Sequence, residues 1–273
     1  MKKWKISMIF GNIVAWIASL TVLLPMLVVL LNSFKTQKES VIMDLSLPQK
    51  FMFENYAVVV ERGKLLISFK NSAIYAVCSV ILILFVVSAA SYVLSRNRCR
   101  LHRILYYFII LGIAMPLNNV ALMKIMKATA LVNTRYGLIF LYGAINIPLA
   151  LFLMFGFVET VPREIDEAAV IDGASPIKLF LKVILPLMKP VIATVGILNF
   201  MSIWNDFSMP LYFMNNSEKW PMTLAVYNFF GQFEQSWNLV SADIVLTAFP
   251  VLLLFIFGQK YIVGGVSAGA VKG

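Results

Sequence analysis

The feature that most limits how this chain can fold is a series of long intervals without a charged side chain. They cover residues 6–34, 71–95, 104–123, 136–158 and 190–205, the fifth resuming past Asp206 to 217, with a last one at 244–259. A hydrocarbon core of about 30 Å needs about 20 apolar residues in an α-helix. The last interval reaches that length if it starts near Leu239 and takes in Asp243. The intervals therefore predict an all-α integral membrane protein with six transmembrane helices, at about 8–31, 72–95, 104–124, 136–158, 190–212 and 241–261. One transmembrane domain over 1–273 accounts for them all.

Composition closes off the soluble classes. The chain is 60% hydrophobic and only 13% charged, with a mean hydropathy of +0.85. Soluble domains carry roughly a quarter charged residues. The net charge of +10 does not signal nucleic acid as a partner. Its basic residues flank apolar stretches, as membrane topology requires, and form no patch interleaved with exposed aromatics. Cys78 and Cys99 show no zinc spacing and no reason to pair, and His102 between two arginines is expected to be a solvated loop residue. Neither a metal site nor nucleophilic catalysis is expected. The opening Met1-Lys2-Lys3-Trp4-Lys5 resembles the basic region of a signal peptide. The apolar stretch behind it exceeds the roughly 7–15 residues of a signal core and lacks a small-x-small site, so it is expected to remain as the first span.

Lysines and arginines near span ends set the expected orientation. The cluster Arg96, Arg98, Arg100 and Arg103 places its loop inside, hence N-terminus and C-terminus inside. Lys124, Lys127 and Arg135 then fall outside, against the rule. The outer loop at 32–70 contains an amphipathic stretch at 53–60, expected to lie as a helix on the outer leaflet. Pro25, Pro116, Pro148 and Pro250 fall inside expected spans, where neighbouring helices can re-satisfy freed carbonyls. They serve either bending or plain packing kinks.

Between the fourth and fifth spans lies a segment of another character, residues 162–186. Pro162 suits a first helical position, and Glu164, Asp166 and Glu167 crowd a first turn where the helix dipole favours negative charge. Ala168 and Ala169 form helix strongly and carry almost no side chain. Gly173 is a stop, because glycine takes the left-handed conformation at little cost. Ser175 and Pro176 restart a helix as cap and first residue, and Leu185-Pro186 closes it. These signs describe a rigid elbow with a nearly bare backbone at the alanines and Ala174 behind the turn. Glu164, Asp166, Glu167 and Asp172 are placed to pair with arginines of a partner protein.

The residues now carry a resemblance. Glu167-Ala168-Ala169, then Gly173, then Val183-Ile184-Leu185-Pro186 resembles the "EAA" loop of ABC importer permeases, with Val183 where the family usually has isoleucine. The Asp172-Gly173-Ala174 variant resembles the carbohydrate-uptake branch and its maltose-permease-G-like subunits. Ser202-Ile203-Trp204-Asn205-Asp206-Phe207 resembles that branch's fifth-span motif, and 264–273 its terminal tail. The resemblance implies the type I ABC importer permease fold. It makes 162–186 the coupling loop seated in a groove of an ATPase subunit, with Glu164, Asp166, Glu167, Ala168, Ala169, Asp172, Gly173, Ala174 and Pro186 as coupling residues. It implies a second homologous permease in a heterodimer, a dimer of cytoplasmic ATPases and an external sugar-binding protein. For the tail, 262–273, it implies contact with the ATPases, where a bare terminus would be disordered. The chain has no Gly-x-x-x-x-Gly-Lys-Ser/Thr, so no cofactor is expected in it and ATP-Mg belongs to the partner ATPase.

Ionisable groups inside spans are costly and face a bundle interior or water. Asp206, with Ser202, Asn205 and Ser208, is the best translocation-path candidate. Trp204 adds an aromatic face of the kind that stacks on sugars, and Asn199 lies about one turn before. Equally, Trp204 suits an aromatic belt and Asp206 a helix contact. Asp243 reads as an interface residue. The expected function is a permease subunit that imports a sugar or oligosaccharide by alternating access, coupled to a separate ATPase and not itself an enzyme. A permease for amino acids or peptides is the alternative within the class. A secondary transporter would need ion-coupling groups and internal repeats, for which Asp206 and Asp243 are thin support.

Overall fold

A computed structural model describes residues 2–97, 99–229 and 236–270, with side chains described inside 11–259. The described residues are helical, without a strand. Among the described residues four helices are long and apolar enough to cross a membrane: Gly11–Asn32, Leu65–Arg96, Arg135–Thr160 and Trp237–Gln259. A fifth candidate is a bent pair, Pro176–Leu187 with Lys189–Asn205, which turns through 72° at the break.

Two expected spans differ. The third, 104–124, is two shorter helices, Arg100–Leu111 and Asn119–Ala128. Pro116 lacks the N–H that a continuing helix needs and biases its predecessor away from helical geometry. Asn118 then restarts the chain by accepting bonds from the N–H groups of Val120 and Ala121 at 3.1 and 3.0 Å. Pro25, Pro148 and Pro250 do lie inside helices, and Pro116 does not. The fifth, 190–212, stops at Asn205, and a short helix, Ser208–Phe213, follows. At the far end, the last helix continues to Ala270, through most of the stretch expected as a tail. Val271, Lys272 and Gly273 lie outside the described residues, as does Arg98 of the basic loop cluster.

The chain forms two compact units, one of residues 1–66 with 225–250 and one of 67–224 with 251–273. In the first, the stretch expected to lie on the leaflet is the helix Glu54–Arg62, and it buries Asn55 and Val59 against protein. Asn55 Nδ2 donates to the carbonyls of Ser33 and Lys35 at 2.8 and 2.9 Å, and its Oδ1 accepts from Asn238 Nδ2 at 3.0 Å. Phe34 packs edge-on against Phe53 at 5.2 Å.

In the second unit, Arg135–Thr160 buries Leu138, Leu151, Met154 and Val158. Lys189–Asn205 buries Val191, Val195 and Ile203, and Leu65–Arg96 contributes Ala76, Ile83 and Val87. Gly143 is what lets two of these helices approach: a Cβ there would sit 3.0 Å from Leu82 Cδ2. Close backbone approach through small residues is the usual packing device in lipid, where apolar surface alone gives no drive to associate.

Candidate functional site

The elbow begins with the helix Glu164–Ile171, whose first turn holds Glu164, Asp166 and Glu167. Its end is set by Gly173 at φ +77°, a left-handed conformation that costs an L-residue roughly 1–2 kcal/mol. The N–H of Gly173 donates to Val170 O and that of Ala174 to Ala169 O, both at 3.0 Å. Two orphan carbonyls of the helix end are thereby satisfied. Ser175 accepts from Lys178 N and Pro176 opens the next helix, Pro176–Leu179. A π-helical turn, Phe180–Ile184, and the short Leu185–Leu187, which holds Pro186, lead to the bend before Lys189.

The carboxylates expected to meet a partner divide in two. Glu164, Glu167 and Asp172 are exposed, as are Ala168 and Gly173, while Ala169 and Ala174 are half-buried. Asp166 is spent inside the chain: its Oδ1 accepts from Tyr92 Oη at 2.8 Å and its Oδ2 pairs with Arg96 Nη2 at 2.9 Å. Arg96 also donates to Val161 O at 3.0 Å and to Val158 O at 3.4 Å. Arg163 Nη2 donates to Ser95 O at 3.1 Å, and Ser95 Oγ to Glu159 Oε1 at 2.6 Å. The elbow is thus bolted at its root to the end of Leu65–Arg96.

Sequence reasoning passed over three residues at the tip. Val170, Ile171 and Ile177 are 59%, 85% and 73% exposed. Their signal was available: β-branched apolar residues among charges, next to a helix stop. The exposed Glu164, Glu167 and Asp172 belong to the same elbow, so its exposed surface combines apolar and acidic side chains.

The path candidates do not act as one set. Trp204 is buried, 3% exposed, stacked on Phe200 at 5.4 Å and edge-on to Phe69 at 5.7 Å. Its ring faces are occupied by protein. Asn199 is buried and donates to Val195 O of its own helix at 2.7 Å. Asp206 stands where the span breaks. Its Oδ1 accepts from Ser208 N at 3.1 Å, and its Oδ2 from Met209 N at 3.1 Å and Tyr142 Oη at 2.9 Å. It caps Ser208–Phe213 and ties it to Arg135–Thr160. Asp206 and Asn205 also line a cavity of about 230 Å³ with Ser202, Tyr142, Asn146 and Leu117. Tyr142 and Asn146 are its unforeseen members, brought in from the neighbouring helix. No group of three metal-ligating side chains occurs among the described residues.

A helical membrane chain with a rigid, acid-edged elbow between two spans defines the class, and comparison with known proteins agrees with it. Residues 94–267 match the family described as binding-protein-dependent transport system inner membrane component, and the chain belongs to that family. It is therefore a multi-pass membrane component of an ABC importer, a class that works with an ATPase and a substrate-binding protein. The diacetylchitobiose uptake system permease protein NgcG of Streptomyces coelicolor is 35% identical, over 93% of this chain and 85% of its own length. The multiple sugar-binding transport system permease protein MsmG of Streptococcus mutans is 32% identical, over 99% of each. The melibiose/raffinose/stachyose import permease protein MelC of Bacillus subtilis is 35% identical, over 83% of each. A chain in the crystal structure of a bacterial ABC transporter involved in import of the acidic polysaccharide alginate superposes with a TM-score of 0.83, at 23% identity, over 94% of this chain and 96% of that one. That likeness concerns the fold.

Proposed function

We propose that this chain is a permease subunit importing a sugar or oligosaccharide by alternating access, driven by a separate ATPase through the elbow at 162–186. The observation that carries the coupling role is the elbow's exposed surface, Val170, Ile171 and Ile177 together with Glu164, Glu167 and Asp172, on an elbow whose first helix is anchored through Asp166. A lever must be stiff at its attachment and adhesive at its end, and this one is both. The carbohydrate assignment draws on the relatives, three of which are named for sugar uptake.

The assembly is a heterodimer with a second homologous permease, standing on a dimer of ATPases that bind ATP-Mg, and fed by an external sugar-binding protein. Both termini face the cytoplasm of a bacterial or archaeal cell. Closure of the ATPases brings the coupling elbows together and turns the cavity outward. Asn205, Asp206 and Ser202 line the path, and Trp204 and Asn199 support it from the packed side. The tail at 262–273 reaches the ATPases.

Affinity capture of the tagged chain from its native membrane tests the coupling site, with wild type beside Gly173→Pro. Proline cannot adopt φ +77° and removes the N–H bonded to Val170. Wild type recovers an ATPase and a second permease, and the variant loses the ATPase. Equal recovery of the ATPase by both overturns the docking site. Uptake of labelled oligosaccharides against labelled amino acids by proteoliposomes of the complex tests the substrate class, and amino-acid uptake alone overturns it.

A further inference from the structure

A second cavity, about 300 Å³, opens beside the elbow's root. Its polar lining includes Asn97, Arg103, Tyr106, Tyr107, Glu159 and Arg163. Ser95, Glu159 and Arg163 of its lining belong to the elbow's root, and its other residues take no part in the elbow or the path described above.

Its charge is unbalanced. No acidic residue occurs in the sequence between Glu61 and Glu159, and of the arginines at 96, 100 and 103 in this stretch Arg103 lines the cavity. Arg96 is committed to Asp166, and Glu159, which accepts from Ser95 Oγ, leaves one carboxylate in the lining against the Arg103 and Arg163 guanidinium groups. Arg103 is exposed, and its guanidinium has no hydrogen-bond or ion-pair partner among the described residues. Arg163 gives one bond, to Ser95 O. Two guanidinium groups thus converge on a cavity with donors to spare, the arrangement that grips a phosphate through paired N–H bonds. Tyrosine hydroxyls add neutral donors, and the Asn97 amide, which donates to Val93 O at 3.0 Å, has a second N–H to offer.

The other wall is apolar. Leu94 and Phe155 line it, with Tyr106 stacked on Phe155 at 4.0 Å. The helix Arg100–Leu111 carries apolar surface away from the cavity, with Leu101, Ile104 and Phe108 at 62%, 54% and 71% exposed. A free inorganic anion has no use for such a wall. A phospholipid uses both parts, its headgroup phosphate between the arginines and its acyl chain along the apolar helix.

We infer that this cavity is a headgroup site for an anionic phospholipid, seating the lipid phosphate between Arg103 and Arg163. The assignment rests on the orientation proposed above, which puts this end of the chain at the cytoplasmic leaflet, where anionic headgroups attract basic residues beside spans. Arg163 immediately precedes the Glu164–Ile171 helix, so the bound headgroup holds the elbow's attachment point. Lipid composition would then act on coupling through the same side chain that bolts the elbow to Ser95.

Native mass spectrometry of the purified full chain reads this directly, without reference to uptake. The probes are phosphatidylglycerol, phosphatidylcholine and inorganic phosphate, each titrated separately. Phosphatidylglycerol binds saturably and in preference to phosphatidylcholine, and Arg103→Gln weakens it about tenfold. Arg100→Gln, a change of equal charge at an exposed residue outside the cavity, leaves it within about twofold. Arg103→Gln removes no bond within the fold, so the variant is not expected to misfold. Equal loss with both variants, or no headgroup preference, overturns the site. Saturable binding of inorganic phosphate that phosphatidylglycerol fails to displace overturns the lipid assignment.

Discussion

Arg96 Nη2 and Asp166 Oδ2 lie 2.9 Å apart, with their side chains only 13% and 15% exposed. This pair joins the last turn of one long helix to the first turn of the elbow. Removing one partner strands the other away from water, which costs more than the pair contributes.

Asp166→Ala should therefore loosen the elbow by about 2 kcal/mol, the scale of a lost hydrogen bond to a charged group. Limited proteolysis within 162–186 checks this: the variant is cut faster while remaining in the membrane. Tyr92→Phe removes the second contact to the same carboxylate. Its effect should largely vanish in the Asp166→Ala background. An unchanged cleavage rate in Asp166→Ala would show that the anchor is dispensable.

The exposed tip makes a different demand. Ile171 is 85% exposed, and burying such a side chain against a partner is worth about 2 kcal/mol, or roughly 30-fold in affinity. Ile171→Asp should reduce recovery of the ATPase by about that factor without altering chain stability. Glu167→Lys should abolish uptake with the chain still inserted. Normal uptake by Glu167→Lys would remove Glu167 from the coupling surface.

The contrast between root and tip shows what the sequence made legible. Gly173, Ser175 and Pro176 announced the elbow because their roles are local, set by φ, by a cap and by a missing N–H. Asp166 looked like its neighbours Glu164 and Glu167 because nothing nearby in sequence reveals Tyr92, 74 positions away. Trp204 likewise read in sequence as either a sugar-stacking face or an aromatic-belt residue, because nothing nearby reveals Phe69, a residue of another helix that packs against it. Charge-free runs located the helices and failed at their breaks. Pro116 with Asn118, and Asp206, carried those breaks in plain view, but a rule that counts only apolar length reads straight across them.

Asp206 offers a separation of capping from charge. Asp206→Ala loses the acceptors for Ser208 N, Met209 N and Tyr142 Oη, and should cost about 1 kcal/mol as a lost cap. Asp206→Asn keeps an acceptor oxygen for the cap and should recover most of that stability in detergent thermal unfolding. If Asp206→Asn is as unstable as Asp206→Ala, the carboxylate charge and not the cap holds the break.

Acid should loosen the loop after the first helix. Lys35 is 1% exposed, and its Nζ lies 2.5 Å from Asp44 Oδ1. The hydrogen bond from Lys35, then that from Ser46, lowers the Asp44 carboxyl from its ordinary 3.8 to about 2. Glu39 is also lowered, chiefly by the Thr36 N–H and then by its hydroxyl. A folded-state pKa below the unfolded one means that the folded loop favours the carboxylate. The contribution of Asp44 is then complete above about pH 4 and fades as pH falls through about 2. Hydrogen exchange of a peptide spanning 35–50, corrected for the intrinsic rate, should lose protection across that window. Asp44→Asn should show a weaker pH dependence, left to Glu39, and Asp44→Asn with Glu39→Gln should show almost none. A double variant that still loses protection between pH 4 and 2 would place the acid-sensitive contact elsewhere.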